Sequence, residues 1–143
     1  MEEEMNLTQA TDYAFRAVLY LARKGNGEVV EAQEIAGREN IPLRFLLKIL
    51  RQLGQAGIVK SYRGVGGGFS LAKDPEEITL LDVVEAVEGP VKINRCLIDP
   101  QYCTSQRGGR CAIHQELSLI QNDIIARLGT VSFKKILERE QNL

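Results

Sequence analysis

The chain has no tryptophan, only 6% aromatic residues and a single histidine among 143 residues. An aromatic stacking platform or a histidine-rich catalytic centre therefore has little to be built from. Long apolar runs are missing too: no segment approaches the length that spans a bilayer, and the start of the chain has no apolar stretch behind basic residues. No membrane partner is expected, and the protein is assigned to the cytoplasm. Neither a P-loop nor a dinucleotide-binding fingerprint occurs, and no serine, cysteine or carboxylate falls in a nucleophile motif, so an enzyme is not expected. The most telling absence is of acids. From Asn40 to Lys73 there is no Asp or Glu, while Arg44, Lys48, Arg51, Lys60, Arg63 and Lys73 all carry positive charge. From Asp74 to Pro90 the bias reverses, with Asp74, Glu76, Glu77, Asp82, Glu85 and Glu88 and no cation. The net charge of -1 hides this segregation. A basic surface backed by an acidic one orients a protein on DNA without making it adhesive everywhere.

What is present reads as a small helical domain with enough apolar residues, 44%, to build one core. Leu7, Ala10, Ala14, Val18 and Leu21 recur at helical spacing after a Thr8 cap, and Gly25 and Gly27 stop the pattern. A second helix fits Ala32 to Glu39, a turn follows at Asn40 and Ile41, and Pro42 opens a third helix that runs to about Gln55. On this third helix Leu43, Leu46, Leu47, Leu50 and Leu53 are assigned to the packed side, and Arg44, Lys48, Arg51 and Gln55 to the outer side. A short helix, a tight turn and a helix with a basic outer face have the layout of a helix-turn-helix, whose second helix enters the major groove. The chain then runs through Ile58 to Arg63, a glycine-rich turn at Gly64, Gly66, Gly67 and Gly68, and Phe69 to Ala72, which is a hairpin with Lys60 on its first strand and Arg63 near its tip. Such a wing can place Arg63 in a narrow minor groove, with Gly66 allowing close backbone approach. Thr79 and Asp82 form a capping box for a fourth helix, expected to brace the wing.

All three cysteines and the one histidine fall within nineteen consecutive residues, as Cys96, Cys103, Cys111 and His114. Thiolates and an imidazole gathered on a glycine-containing segment suit zinc or an iron-sulfur cluster. In a reducing compartment three close cysteines read as ligands or as a redox switch rather than as disulfides. Cys111 and His114 lie one helical turn apart, and Arg95, Arg107 and Arg110 flank the group and offset the charge of a bound cluster. From about Ala112 a longer helix carries Leu117, Ile120, Ile124 and Leu128 in a stripe that suits a second copy of the chain, and a short last helix ends near Glu140. The expected fold is thus mainly α with a small β-hairpin wing. It divides into a winged helix-turn-helix over residues 5–90, a cysteine-bearing loop over 91–111, and a dimerisation helix with a C-terminal helix over 112–140.

The stretches Leu7-Thr8 to Arg16, Ile41-Pro42-Leu43, Arg63-Gly64-x-Gly66-Gly67-Gly68-Phe69-x-Leu71 and Ile78-Thr79-Leu80-Leu81-Asp82-Val83-Val84, followed by the three cysteines, resemble the Rrf2 family of bacterial regulators. The resemblance covers Met5 to about Leu137. It implies a dimeric repressor or activator that binds a DNA operator and reports on an iron-sulfur cluster, as iron supply, redox state or nitric oxide changes. The Cys-x-x-His ending resembles the IscR type, which implies a two-iron cluster on three cysteines and His114. Thr11-Asp12-Tyr13-Ala14 resembles the NsrR type, which implies a four-iron cluster completed by Asp12 of the partner subunit. His114 is favoured because it shares a chain with the cysteines. The gaps between cysteines, six and seven residues, are longer than is common in IscR-like proteins. Zinc on the same ligands, a thiol redox switch, and a small electron-transfer protein are the other readings.

Overall fold

The computed structural model describes residues 7–93 and 111–143. Cys96, Cys103, Arg95, Arg107 and Arg110 lie outside the described residues. Among the described residues, six helices and one hairpin follow in the order α1 (Gln9–Lys24), α2 (Ala32–Glu39), α3 (Leu43–Gln55), β1 (Val59–Tyr62), β2 (Gly68–Leu71), α4 (Leu80–Glu88), α5 (Ala112–Thr130) and α6 (Phe133–Gln141), with a 3-10 turn at Pro75–Glu77 before α4. The mainly helical architecture with its small β-hairpin is the one expected.

Local sequence explains the boundaries. The Thr8 hydroxyl accepts from the Thr11 N–H at 3.3 Å, and Thr79 and Asp82 form the reciprocal box, with Asp82 N to Thr79 Oγ1 at 3.1 Å and Thr79 N to Asp82 Oδ2 at 3.0 Å. Asn40 ends α2 in the left-handed conformation, at φ 57° and ψ 48°, which turns the chain so that Ile41 N donates to the Ala36 carbonyl at 2.9 Å. Only two residues then separate this turn from α3, and Pro42 carries the chain into it without losing a needed donor.

One core joins these elements. Ala14, Val18 and Leu21 of α1 meet Ile35 of α2, Leu46, Ile49, Leu50 and Leu53 of α3, Val83 of α4, and Ile58 and Ile78 from the connections. The hairpin is antiparallel, pairing Val59 with Leu71 and Tyr62 with Gly68. Val30 lies beside β2 as an isolated antiparallel bridge, exchanging backbone hydrogen bonds with Phe69 at 2.8 Å in both directions. The sequence expectation that α4 braces the wing is corrected here. Helix α4 packs chiefly on α1, α3 and α5, and the wing is held by Val30, α1 and α3. A lone bridging residue has no strand periodicity, so its sequence gave no sign of this role.

The end of the chain returns to this core. Leu80 N donates to Val131 O at 2.9 Å, Phe133 N donates to Ile78 O at 2.8 Å, and the Phe133 ring is buried among the helices. Arg23 of α1 pairs with Glu140 of α6 at 2.8 Å and holds its carboxyl below the ordinary carboxylate range. Helix α5 is different: only Gln121 is buried along it, and its Oε1 accepts from Ile93 N at 3.1 Å. No described helix is long and apolar enough to cross a membrane.

Because Phe133, the first residue of α6, is buried where that helix packs on α1 and the 3-10 turn, Phe133→Ala should cost about 3–5 kcal/mol of stability, read from urea denaturation followed by helical circular dichroism. A loss below about 1 kcal/mol would mean that the last helix is not part of the folding unit.

Candidate nucleic-acid interface

Helix α3 is oriented by its apolar face. Leu46, Ile49, Leu50 and Leu53 are buried, and this fixes the rotation that turns Arg44, Lys48 and Arg51 outward. Leu43 and Leu47 do not join the packed side as the sequence periodicity suggested. They are 37% and 45% exposed, and Ile49 takes the core position instead. Five leucines spaced three and four apart in two overlapping rows are compatible with a wider apolar face than this helix buries, so rotation within that face is decided by tertiary packing.

The outer surface of α3 has two flanks. Phe45, Lys48 and Gln52 line a cavity of about 260 Å³ shared with Tyr13 of α1 and Val87 and Glu88 of α4. Leu43, Leu47 and Gly54 form the other flank, toward the wing, where Gly54 lies against β1 with space for a Cβ 3.8 Å from the Val59 carbonyl oxygen. Arg44 and Arg51 project between the two.

The wing adds further cations to the same side of the sequence's basic segment. Lys60 is exposed on β1, Arg63 is exposed where the strand enters its turn, and Val65 stands free at the tip. Glycines shape that turn, as Gly66 and Gly68 show. Gly66 has φ +79° in open space, whereas a Cβ at Gly68 would lie 2.4 Å from the Val30 carbonyl oxygen, so only glycine lets the hairpin approach Val30 this closely.

Some cations of the described residues are paired with carboxylates and others are not, and those of α3 and the wing are among the unpaired ones. Arg16, Arg23, Lys24 and Lys134 each pair with a carboxylate. Among the described residues no carboxylate pairs with Arg44, Lys48, Arg51, Lys60 or Arg63. The neighbouring acids are engaged elsewhere: Glu88 accepts from the Thr8 and Thr11 hydroxyls, Asp74 from Asn26, and Asp82 caps α4. Unpaired arginines and lysines exposed on α3 and the wing are available to phosphate oxygens. A residue that sequence reading missed supports this face from behind. Arg16 donates to the Glu39 carbonyl at 2.6 Å, closing the end of α2, while its other nitrogen pairs with Asp12 at 3.1 Å. The i to i+4 spacing of Asp12 and Arg16 was the available sign.

Of the candidate metal ligands, Cys111 and His114 are described. Cys111 stands at the N-cap of α5 and His114 one turn later, both half-buried. Asp12 is exposed in the first turn of α1. No described group of three or more His, Cys, Asp or Glu side chains converges as metal ligands.

A family model described as Rrf2, iron-dependent transcriptional regulator, matches residues 7–139. The transcriptional regulator NsrR of Bacillus subtilis is 39% identical over 92 residues, which is 64% of this chain and 63% of that one. The transcriptional regulator IscR of Photorhabdus laumondii is 32% identical over 139 residues, covering 97% of this chain and 83% of that one. The structure of CymR, the global cysteine regulator of B. subtilis, superposes with a TM-score of 0.74 over 94% of this chain and 98% of that chain at 24% identity, which establishes the shared fold.

The glycine geometry makes a direct test. Gly68→Ala should break the Val30–Phe69 bridge and lower both the urea midpoint and DNA affinity, whereas Gly66→Ala, which meets no atom, should cost only about 1–2 kcal/mol of left-handed strain. Equal stability of Gly68→Ala and the wild type would contradict the described wing.

Proposed function

The chain belongs to the Rrf2 family of transcriptional regulators, and on that premise we propose that it acts as a two-fold dimer on an operator and responds to an iron-sulfur cluster. The observation that carries the DNA reading is the unpaired cationic surface of α3 and the wing, with Arg44, Lys48, Arg51, Lys60 and Arg63 exposed and Gly66 in its turn. A two-fold dimer would present two such helices to successive major grooves, matching a near-palindromic site. Support for the dimer comes from α5, where Ile113, Leu119 and Ile120 are exposed and Leu117, Ile124 and Leu128 are only half-buried by the chain itself. In this reading residues 5–90 hold the DNA contacts, 91–111 the cluster loop and 112–140 the dimer helix, with the last turns of that segment anchored on the winged domain through Phe133.

The donor set fits an iron-sulfur cluster as far as it is described. Cys111 and His114 share the first turn of α5, neither is closed off in the core, and the positive end of the helix dipole lies beside them, where the negative charge of thiolates and sulfide is favoured. Cys96, Cys103, Cys111 and His114 would hold the cluster, which supplies a redox-sensitive and oxygen- or nitric-oxide-sensitive centre. His114 is preferred to Asp12 as fourth ligand, because Asp12 is already paired with Arg16. With Asp12 from the partner subunit instead, the site would suit a four-iron rather than a two-iron cluster. The chain's own part is to join the ligand segment to α5 and, through the Gln121–Ile93 hydrogen bond and the packing of α5 on α4, to the body that carries α3. A change in that segment then alters the spacing of the two α3 helices. Zinc on the same sulfur and nitrogen donors is the second reading, supported by the same ligand types.

Two experiments test these proposals. Replacing Arg44, Arg51, Lys60 or Arg63 by alanine should lower the slope of log affinity against log salt by about one each, measured by fluorescence anisotropy, and Lys134→Ala, whose side chain pairs with Glu76, should leave it unchanged. Unchanged slopes in all four would put the DNA face elsewhere. Protein purified without oxygen should contain iron and sulfide in equal amounts with visible charge-transfer absorption, lost in Cys111→Ala and altered in His114→Ala but not in Asp12→Ala. Zinc without sulfide would favour the second reading, and an Asp12-dependent spectrum would exchange the fourth ligand.

A further inference from the structure

The outward face of α3 is not purely polar. Leu47 is 45% exposed on a helix whose core contacts are complete without it, and Leu43, one turn earlier in the same row, is 37% exposed. Scattered exposed leucines need no explanation, but the position of this one is specific. It lies three residues after Arg44 and four before Arg51, so it adjoins both cations on the helix surface. The same row continues to Gly54, which packs against β1, so Leu47 sits on the flank that α3 turns toward the wing. A duplex touching both α3 and the wing must cover that flank.

A recognition helix presents its N-terminal half to base edges, and Leu47 falls within the first two turns of Leu43–Gln55. Arginine reads guanine, but a leucine has no polar atom to offer, and the apolar feature of the major groove is the C5 methyl of thymine. We propose that Leu47 is a specificity-determining residue that packs on a thymine methyl in each half-site, between the contacts made by Arg44 and Arg51. Phe45, although more exposed at 60%, belongs to the other flank with Lys48 and Gln52 and does not share this role. The inference rests on the reading that α3 enters the groove and adds to it which base feature is read.

The test begins with wild-type protein and selection of binding duplexes from a random-sequence pool. The selected duplex is then remade with dU in place of dT, which removes the methyl and leaves the base pairing intact. Loss of one buried methyl contact should weaken wild-type binding about fourfold per half-site, and about fifteenfold when both half-sites are changed. Leu47→Ala should bind the two duplexes equally, with an unchanged salt slope and an unchanged urea midpoint, which separates base reading from phosphate contact and from folding. The proposal is overturned if wild type binds the fully dU-substituted duplex as tightly as the original, or if Leu47→Ala keeps the discrimination. Failure of the wild type to show salt-dependent binding to any selected duplex would instead overturn the reading of α3 as the DNA helix, and this inference with it.

Discussion

Four apolar side chains on the inner side of α3, Leu46, Ile49, Leu50 and Leu53, aim everything on its outer side. Their burial against α1 and α2 sets the rotation of the helix, and a helix has no freedom to turn its cations outward independently of the face it buries. The same packing leaves Leu47 beside Arg44 and Arg51 rather than in the core. Arg16 stiffens the arrangement by holding the Glu39 carbonyl at the end of α2, and Asn40 completes the turn between the two helices. The orientation of the proposed DNA-binding face is thus a consequence of core packing.

Charge segregation along the sequence becomes charge segregation by function. Four of the six acids that follow the basic segment make structural contacts: Asp82 caps α4, Glu88 joins the first turn of α1 to the end of α4, Asp74 accepts from Asn26, and Glu76 pairs with Lys134. None of them neutralises α3 or the wing. Cations left unpaired near one another carry a repulsive cost that binding to a polyanion removes, and the acidic back discourages binding in other orientations.

Much of this was legible because it is local. The bounds of α2 and α3, the cap at Thr8, the box at Thr79 and Asp82 and the glycine-rich hairpin all follow from residue types at short spacing. What was not legible is nonlocal. Val30 pairs with Phe69 across α2, α3 and β1, Phe133 returns from late in the chain to the core, and α4 lies against three helices rather than the wing. The leucines of α3 show the boundary between the two cases: their period announces a helix, but which of Leu43, Leu47 and Ile49 is buried depends on neighbours that periodicity cannot register. The histidine and cysteine spacing pointed to one ligand cluster, and the structure describes its Cys111 and His114 at the start of α5, with Cys96 and Cys103 outside the described residues.

The proposed coupling runs from that ligand segment to the proposed DNA face through α5, α4 and the core they share. It is tested most directly by measuring, without oxygen and at one salt concentration, the affinity of cluster-loaded and iron-depleted protein for duplexes selected by each form. The expected result is a change of at least about tenfold in affinity for one set of duplexes. Equal affinities of the two forms for both sets would contradict the coupling and leave a DNA-binding protein whose cysteines serve another purpose.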